Sequence, residues 1–151
     1  MVIELNERHI RSTRIKSSKR GVSDINLKST EEQLGAALPK QYKELCKLTN
    51  NAQIGEWTLF PIKDPDNLKR TWDDIVRQNH DVKEEGMAHD LIAIGEDGTG
   101  DILCFRLKDN IVENEVYIWY HETKEVEKSA SDLIEFIVSY SELEDDIDED
   151  D

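Results

Sequence analysis

Apolar residues recur along the chain with two periods, and the changes of period mark the elements. Thr30-Glu31-Glu32-Gln33 has the form of a capping box and predicts a short helix opening there, interrupted at Leu38-Pro39. Pro39 lacks an N–H that a first turn does not need, so it can start a second helix in which Tyr42, Leu45, Cys46 and Thr49 share a face. Asn50-Asn51 closes it, because Asn tolerates the left-handed backbone that follows many helices. Glu56–Phe60 predicts a strand stopped by Pro61. Leu68, Trp72, Ile75 and Val76 have helical spacing and predict a helix over 66–79 with Trp72 on its core face. Leu91–Gly95 and Asp101–Leu107 predict strands joined by Glu96-Asp97-Gly98-Thr99-Gly100, since glycine takes the positive φ of a hairpin turn without steric cost. Val116–His121 predicts a further strand. Ser129–Asp132 predicts the start of a last helix with Leu133, Phe136, Ile137 and Tyr140 on one face. That order of elements is α+β.

At 151 residues, 37% of them hydrophobic, the chain can bury one core and is too short for two full ones, so a single domain is expected. Charge changes the picture more. The chain has 34 acids and 19 Lys and Arg, a net of −15. Six of those bases lie in residues 1–20, whereas residues 142–151 hold eight acids and no base. Residues 1–28 therefore read as a basic N-terminal arm or helix, residues 29–141 as the domain, and 142–151 as a self-repelling acidic tail. The negative balance argues against direct nucleic-acid binding, which needs clustered Lys and Arg. Apolar runs such as Leu91-Ile92-Ala93-Ile94 are far shorter than the roughly 20 residues of a membrane span, so no membrane association is expected. The charged N-terminus lacks an apolar signal stretch. Cys46 and Cys104 sit in strongly patterned segments and suit buried free thiols, which places the chain in the cytoplasm.

Catalytic and metal motifs fail on inspection. Asp97-Gly98-Thr99 is similar to the end of the Asp-x-Asp-Gly-Thr phosphotransferase signature, but Gly95 stands where the nucleophilic carboxylate belongs. Glu96, Asp97 and Asp101 miss the alternate positions of a calcium loop. His9, His80, His89 and His121 have no His or Cys two to four residues away, so no zinc spacing exists. His121-Glu122 could be half of an acid–base pair or an exposed strand end. Cys46 and Cys104 each have a core reading rather than a reactive one. No P-loop, nucleophile elbow or dinucleotide fingerprint occurs. No catalytic residue, cofactor or metal is expected. Trp57 and Trp119, alternating with Leu59 and Tyr117, could face core or partner.

Glu32-Gln-Leu34-Gly35-Ala-Ala-Leu38-Pro39-Lys-Gln-Tyr42-Lys-Glu-Leu45 resembles the signature of the SUKH superfamily. Ile94-Gly95-Glu-Asp97-Gly98-Thr-Gly100-Asp101-Ile102 is similar to its second motif, and Val116-Tyr-Ile-Trp119-Tyr-His121-Glu122 to its third. Asn51 departs from the usual Gly. The resemblance spans roughly 29–140 and implies a twisted antiparallel sheet flanked by helices. It implies that Leu34, Leu38 and Tyr42 pack the core while Gly35, Gly98 and Gly100 permit bends. Many bacterial members are immunity proteins that bind and block a co-produced toxin, and fungal relatives regulate cell-wall synthesis through protein contacts; neither role is catalytic.

The expectation is a non-catalytic cytoplasmic immunity protein whose partner is a cognate secreted toxin. A nuclease is the favoured toxin, because its phosphate-binding cleft would attract a chain of −15. A regulatory interaction module without a toxin, or a hydrolase using His121, are the alternatives. Glu56, Glu96, Asp97, Asp101 and Glu122, at turns and strand ends, are the expected partner contacts.

Overall fold

A computed structural model describes residues 19–140, with side chains from Gly21 onward. The eight acids of 142–151 and most of the basic arm lie outside the described residues. Lys19–Arg20 (β1) pairs antiparallel with Thr49–Asn50 (β2). The first helix is Asp24–Leu34 (α1), and its cap, Ser23, lies seven residues before the expected Thr30 cap. The Ser23 hydroxyl accepts the Asn26 N–H instead. Thr30 is buried within α1, where it shares the inner face with Leu27. Two Ser/Thr signals compete here, and the earlier one wins because it lets Leu27 reach the core. Glu31, expected in a capping box, accepts the Leu38 N–H at 2.6 Å and lies 3.6 Å from the Lys43 ammonium, tying the linker to the next helix.

That helix, Lys40–Leu48 (α2), follows Pro39 as expected and buries Tyr42, Leu45 and Cys46. Asn51 takes the left-handed backbone, φ 58°. The neighbouring Asn50 amide is buried and exchanges two hydrogen bonds of 2.9 Å with the Ile62 backbone. Gln53–Ile54 (β3) and Trp57–Leu59 (β4) form a tight hairpin. The predicted helix over 66–79 is absent. Pro65–Asn67 is one 3₁₀ turn, irregular backbone follows, and α3 spans Ile75–Glu84. Asp74 caps α3 by accepting the Arg77 N–H, which fixes its start at Ile75.

Leu91–Glu96 (β5), Ile102–Lys108 (β6), Ile111–Val112 (β7), Val116–Trp119 (β8) and Val126–Ala130 (β9) complete the strands. The main sheet is antiparallel, ordered β3-β4-β5-β6-β8-β9, with β7 beside β6. A helix over 133–140 (α4) closes the described chain, capped by Asp132, which accepts the Glu135 N–H at 2.8 Å. Ser129 and Ala130, expected at its start, belong to β9 instead.

Helices cover the sheet through specific contacts. The Asn79 amide of α3 grips both Ala93 backbone groups at 2.8 and 2.9 Å. Tyr42 of α2 meets Phe105 of β6 edge to face, ring centres 5.8 Å apart. Phe136 of α4 packs on Trp57. Leu38, Tyr42 and Phe136 are core, as expected; Leu34 is only partly buried at its margin. Trp57 and Trp119 are buried, so the core reading holds for both. Trp72 overturns its expectation at 65% exposed. Cys46 and Cys104 are free and buried, and burial pushes both thiols up to about 12.

Candidate functional site

The strand register brings the five expected contact residues to one end of the sheet. Thr58 of β4 lies opposite Glu96, Glu96 opposite Ile102, Ile102 opposite Trp119, and Trp119 opposite Val126. Beyond this row the chain turns three times. Gly55-Glu56 joins β3 to β4, Asp97–Asp101 joins β5 to β6, and Tyr120–Glu125 joins β8 to β9. Glu56 occupies the first turn, Asp97 and Asp101 the second beside Glu96, and Glu122 the third. Glu125, which sequence reading did not single out, adds a sixth carboxylate to this rim.

Local donors fix three of these carboxylates. Asp97 accepts the Thr99 N–H at 2.9 Å and its hydroxyl at 2.6 Å. Asp101 accepts the His121 N–H at 3.1 Å, and its Oδ1 lies 2.7 Å from the His121 Nδ1. Gly100 makes room for that ring, since a Cβ there would sit 3.1 Å from it. Glu56 receives the Tyr140 hydroxyl at 3.4 Å, and Tyr140 in turn receives the buried Trp57 indole N–H at 2.7 Å. Glu96 and Glu122 are exposed.

The electrostatics follow the geometry. Burial works to raise the Asp101 pKa, but the His121 hydrogen bonds and charge outweigh it and hold the carboxyl below the ordinary aspartate range. Tyr140 is raised, first by burial and then by the Glu56 and Asp97 charges, while its bond from Trp57 pulls the other way. Two separate turns thus act on one phenol. The only Lys or Arg on these turns is Lys124, whose ammonium lies 4.8 Å from the Trp119 ring centre.

The partner of His121 is Asp101, twenty residues away, rather than Glu122, whose carboxylate is 3.9 Å from the other ring nitrogen. An Asp-oriented imidazole can accept a proton; the one hydroxyl of the 97–101 turn, Thr99, is bonded to Asp97. Both cysteines are buried thiols rather than thiolates. His80, Asp81 and Glu84 come within 4.8 Å of one another on α3 and could touch a metal ion, but all three are exposed and make a solvated helix face. The arrangement offers carboxylates for cationic groups.

The SUKH_5 family model, described as SMI1-KNR4 cell-wall, matches residues 1–142. The chain belongs to this family. The match starts ahead of the 29–140 stretch that carries the motifs. Among solved structures, a protein from Pseudomonas syringae pv. tomato aligns with this SMI1-KNR4 family member at a TM-score of 0.61 and 19% identity, over 87% of this chain and 94% of the other. That likeness shows the shared α+β fold. No curated protein sequence matches. No helix among the described residues is long and apolar enough to cross a membrane.

Proposed function

We propose that this chain is an immunity protein of the cytoplasm that binds a cognate toxin, of the nuclease class, and blocks it by occupancy. The observation that carries the reading is the acidic rim, where six carboxylates gather on and beside three turns against one lysine. Glu56, Asp97 and Asp101 are held in place before any partner arrives, so pairing them with a partner's Arg or Lys costs less ordering entropy than recruiting mobile side chains. A nuclease cleft shaped for phosphates presents such cations, and the chain's net charge steers the encounter. Family membership supports the reading, because many bacterial relatives serve as immunity proteins and the family is in general non-catalytic.

The test takes the C-terminal domain of whatever long toxin-like protein a neighbouring reading frame encodes, co-expressed and then titrated across a salt series. Protection of growth is expected, with association slowing about tenfold or more as salt rises from about 50 to about 500 mM, a roughly tenfold range over which screening shortens the reach of the charges. The double variant Asp97→Lys, Asp101→Lys should weaken binding. An association rate flat in salt, with that variant still protecting cells, removes the rim from the interface. Absence of any binding by the neighbouring domain favours the regulatory module.

A further inference from the structure

Asp97-Gly98 is the only Asp-Gly or Asn-Gly pair in the chain. Where Gly follows Asp, no side chain shields the backbone nitrogen from the carboxyl group before it, and the main chain turns freely enough to bring the two together. The fold keeps that approach open. Gly98 is exposed at φ 90°, and a Cβ added to it would meet nothing within 4 Å. Its N–H donates to no group among the described residues.

One contact works against the approach. Thr99 gives Asp97 Oδ1 two donors, its N–H at 2.9 Å and its hydroxyl at 2.6 Å. Together they hold the carboxyl group toward Thr99, one residue past the nitrogen that would attack. The other aspartate of this turn is guarded twice. Asp101 Oδ1 is bonded to His121, and the nitrogen after it belongs to Ile102, which carries a β-branched side chain and sits in strand β6 between Glu96 and Trp119.

We propose that Asp97 is a site of spontaneous isomerisation to isoaspartate and that Thr99 restrains it. The Gly98 nitrogen attacks Asp97 Cγ and forms an N–Cγ bond. The nitrogen's proton and the hydroxyl of the protonated carboxyl leave as water, which closes a five-membered succinimide. Water then adds back. Attack at Cγ restores aspartate; attack at the former backbone carbonyl breaks its bond to the Gly98 nitrogen and leaves the chain running through Cβ and Cγ. The water lost and the water gained cancel, so mass and charge are unchanged. The 97–101 turn is longer by one main-chain carbon, and the free carboxylate is now the one on Cα. The rim thereby loses the carboxylate that Thr99 holds in place. The reaction needs no partner and stands whether or not the rim meets a toxin.

The experiment holds the full chain for weeks at mildly acid pH and body temperature. Isoaspartate is located by electron-transfer fragmentation of the digested chain and counted by methyl transfer from an isoaspartyl methyltransferase. It is expected at 97 and not at 101. Thr99→Ala should raise the rate about fivefold, the worth of one hydrogen bond expressed in a barrier. Thr99→Ser, which keeps the hydroxyl, should age as the parent does. A free peptide of residues 94–102, in which nothing holds the turn, should convert faster than the folded chain. Thermal unfolding of both variants is expected to match the parent, which separates loss of the contact from loss of the fold. The proposal is overturned if Asp97 persists unchanged in both parent and Thr99→Ala, or if Thr99→Ala ages no faster than the parent or Thr99→Ser. Conversion of Asp101 at the rate of Asp97, or of the folded chain at the rate of the free peptide, overturns it equally.

Discussion

At the rim, displayed carboxylates are held by donors in their own or adjoining turns, Thr99 for Asp97 and His121 for Asp101. At residues 64–74 the displayed groups are Leu68 and Trp72, and their display depends on Thr71 between them and on Asp64 and Asp74 to either side, all three buried. Polar groups project at the rim over a polar scaffold. In the loop apolar groups project and the polar ones turn inward, the reverse of the usual partition. Outward apolar groups cost solvation, so buried hydrogen bonds must hold them there.

The two tryptophans give the widest contrast. Trp57 is buried against Phe136 and holds Tyr140 at the rim. Trp57→Ala should cost about 3–5 kcal/mol in a denaturant melt, through lost burial and a cavity. A loss under about 1 kcal/mol would detach the rim from the core. Next comes the loop's anchor. Thr71→Val leaves the Asp64 N–H without its partner and should cost about 1–3 kcal/mol, with Trp72 emission changing in the folded state. The corresponding exposed position at the rim, Thr99→Ala, should stay within about 0.5 kcal/mol. Equal effects at the two threonines would erase the distinction between the regions.

Asp101 supplies a smaller, pH-dependent effect. Its folded pKa lies below its unfolded one, so the ionised form stabilises the fold above the unfolded aspartate value. That contribution is lost as pH falls through the folded pKa. The stability gap between the parent and Asp101→Asn should therefore shrink below about pH 4, read from urea midpoints across pH. A gap constant between about pH 2 and about pH 6, two units either side of that value, contradicts the His121 hydrogen bonds as its cause. Smallest of all, Trp72→Ala should leave stability within about 0.5 kcal/mol, because the indole is mostly in water.

The rim was legible because its signals are local. Asp97-Gly98-Thr99-Gly100 specifies a turn from four consecutive residues, and alternating strands on either side place it at a sheet end. Its internal wiring was not legible, since Asp101 and His121 are joined only by β6–β8 register and Tyr140 meets Glu56 across 84 positions. The loop failed for a physical reason. Leu68, Trp72, Ile75 and Val76 do have helical spacing, but two capping aspartates and Thr71 bind the backbone in another conformation before Ile75. Strand β9 was missed because Val126–Ala130 shows little apolar alternation; its middle residues face solvent. The Ser23 cap could have been found by asking which of two candidate starts puts Leu27 inside.

The polar character of β9 has a further consequence. It is the last strand of the sheet, and β3 at the opposite border has only two residues. Exposed Glu127 and Lys128 line the first border, and the second is too brief to template a partner strand. Neither border invites another copy to extend the ladder, so the sheet terminates itself and resists edge-to-edge aggregation at high concentration.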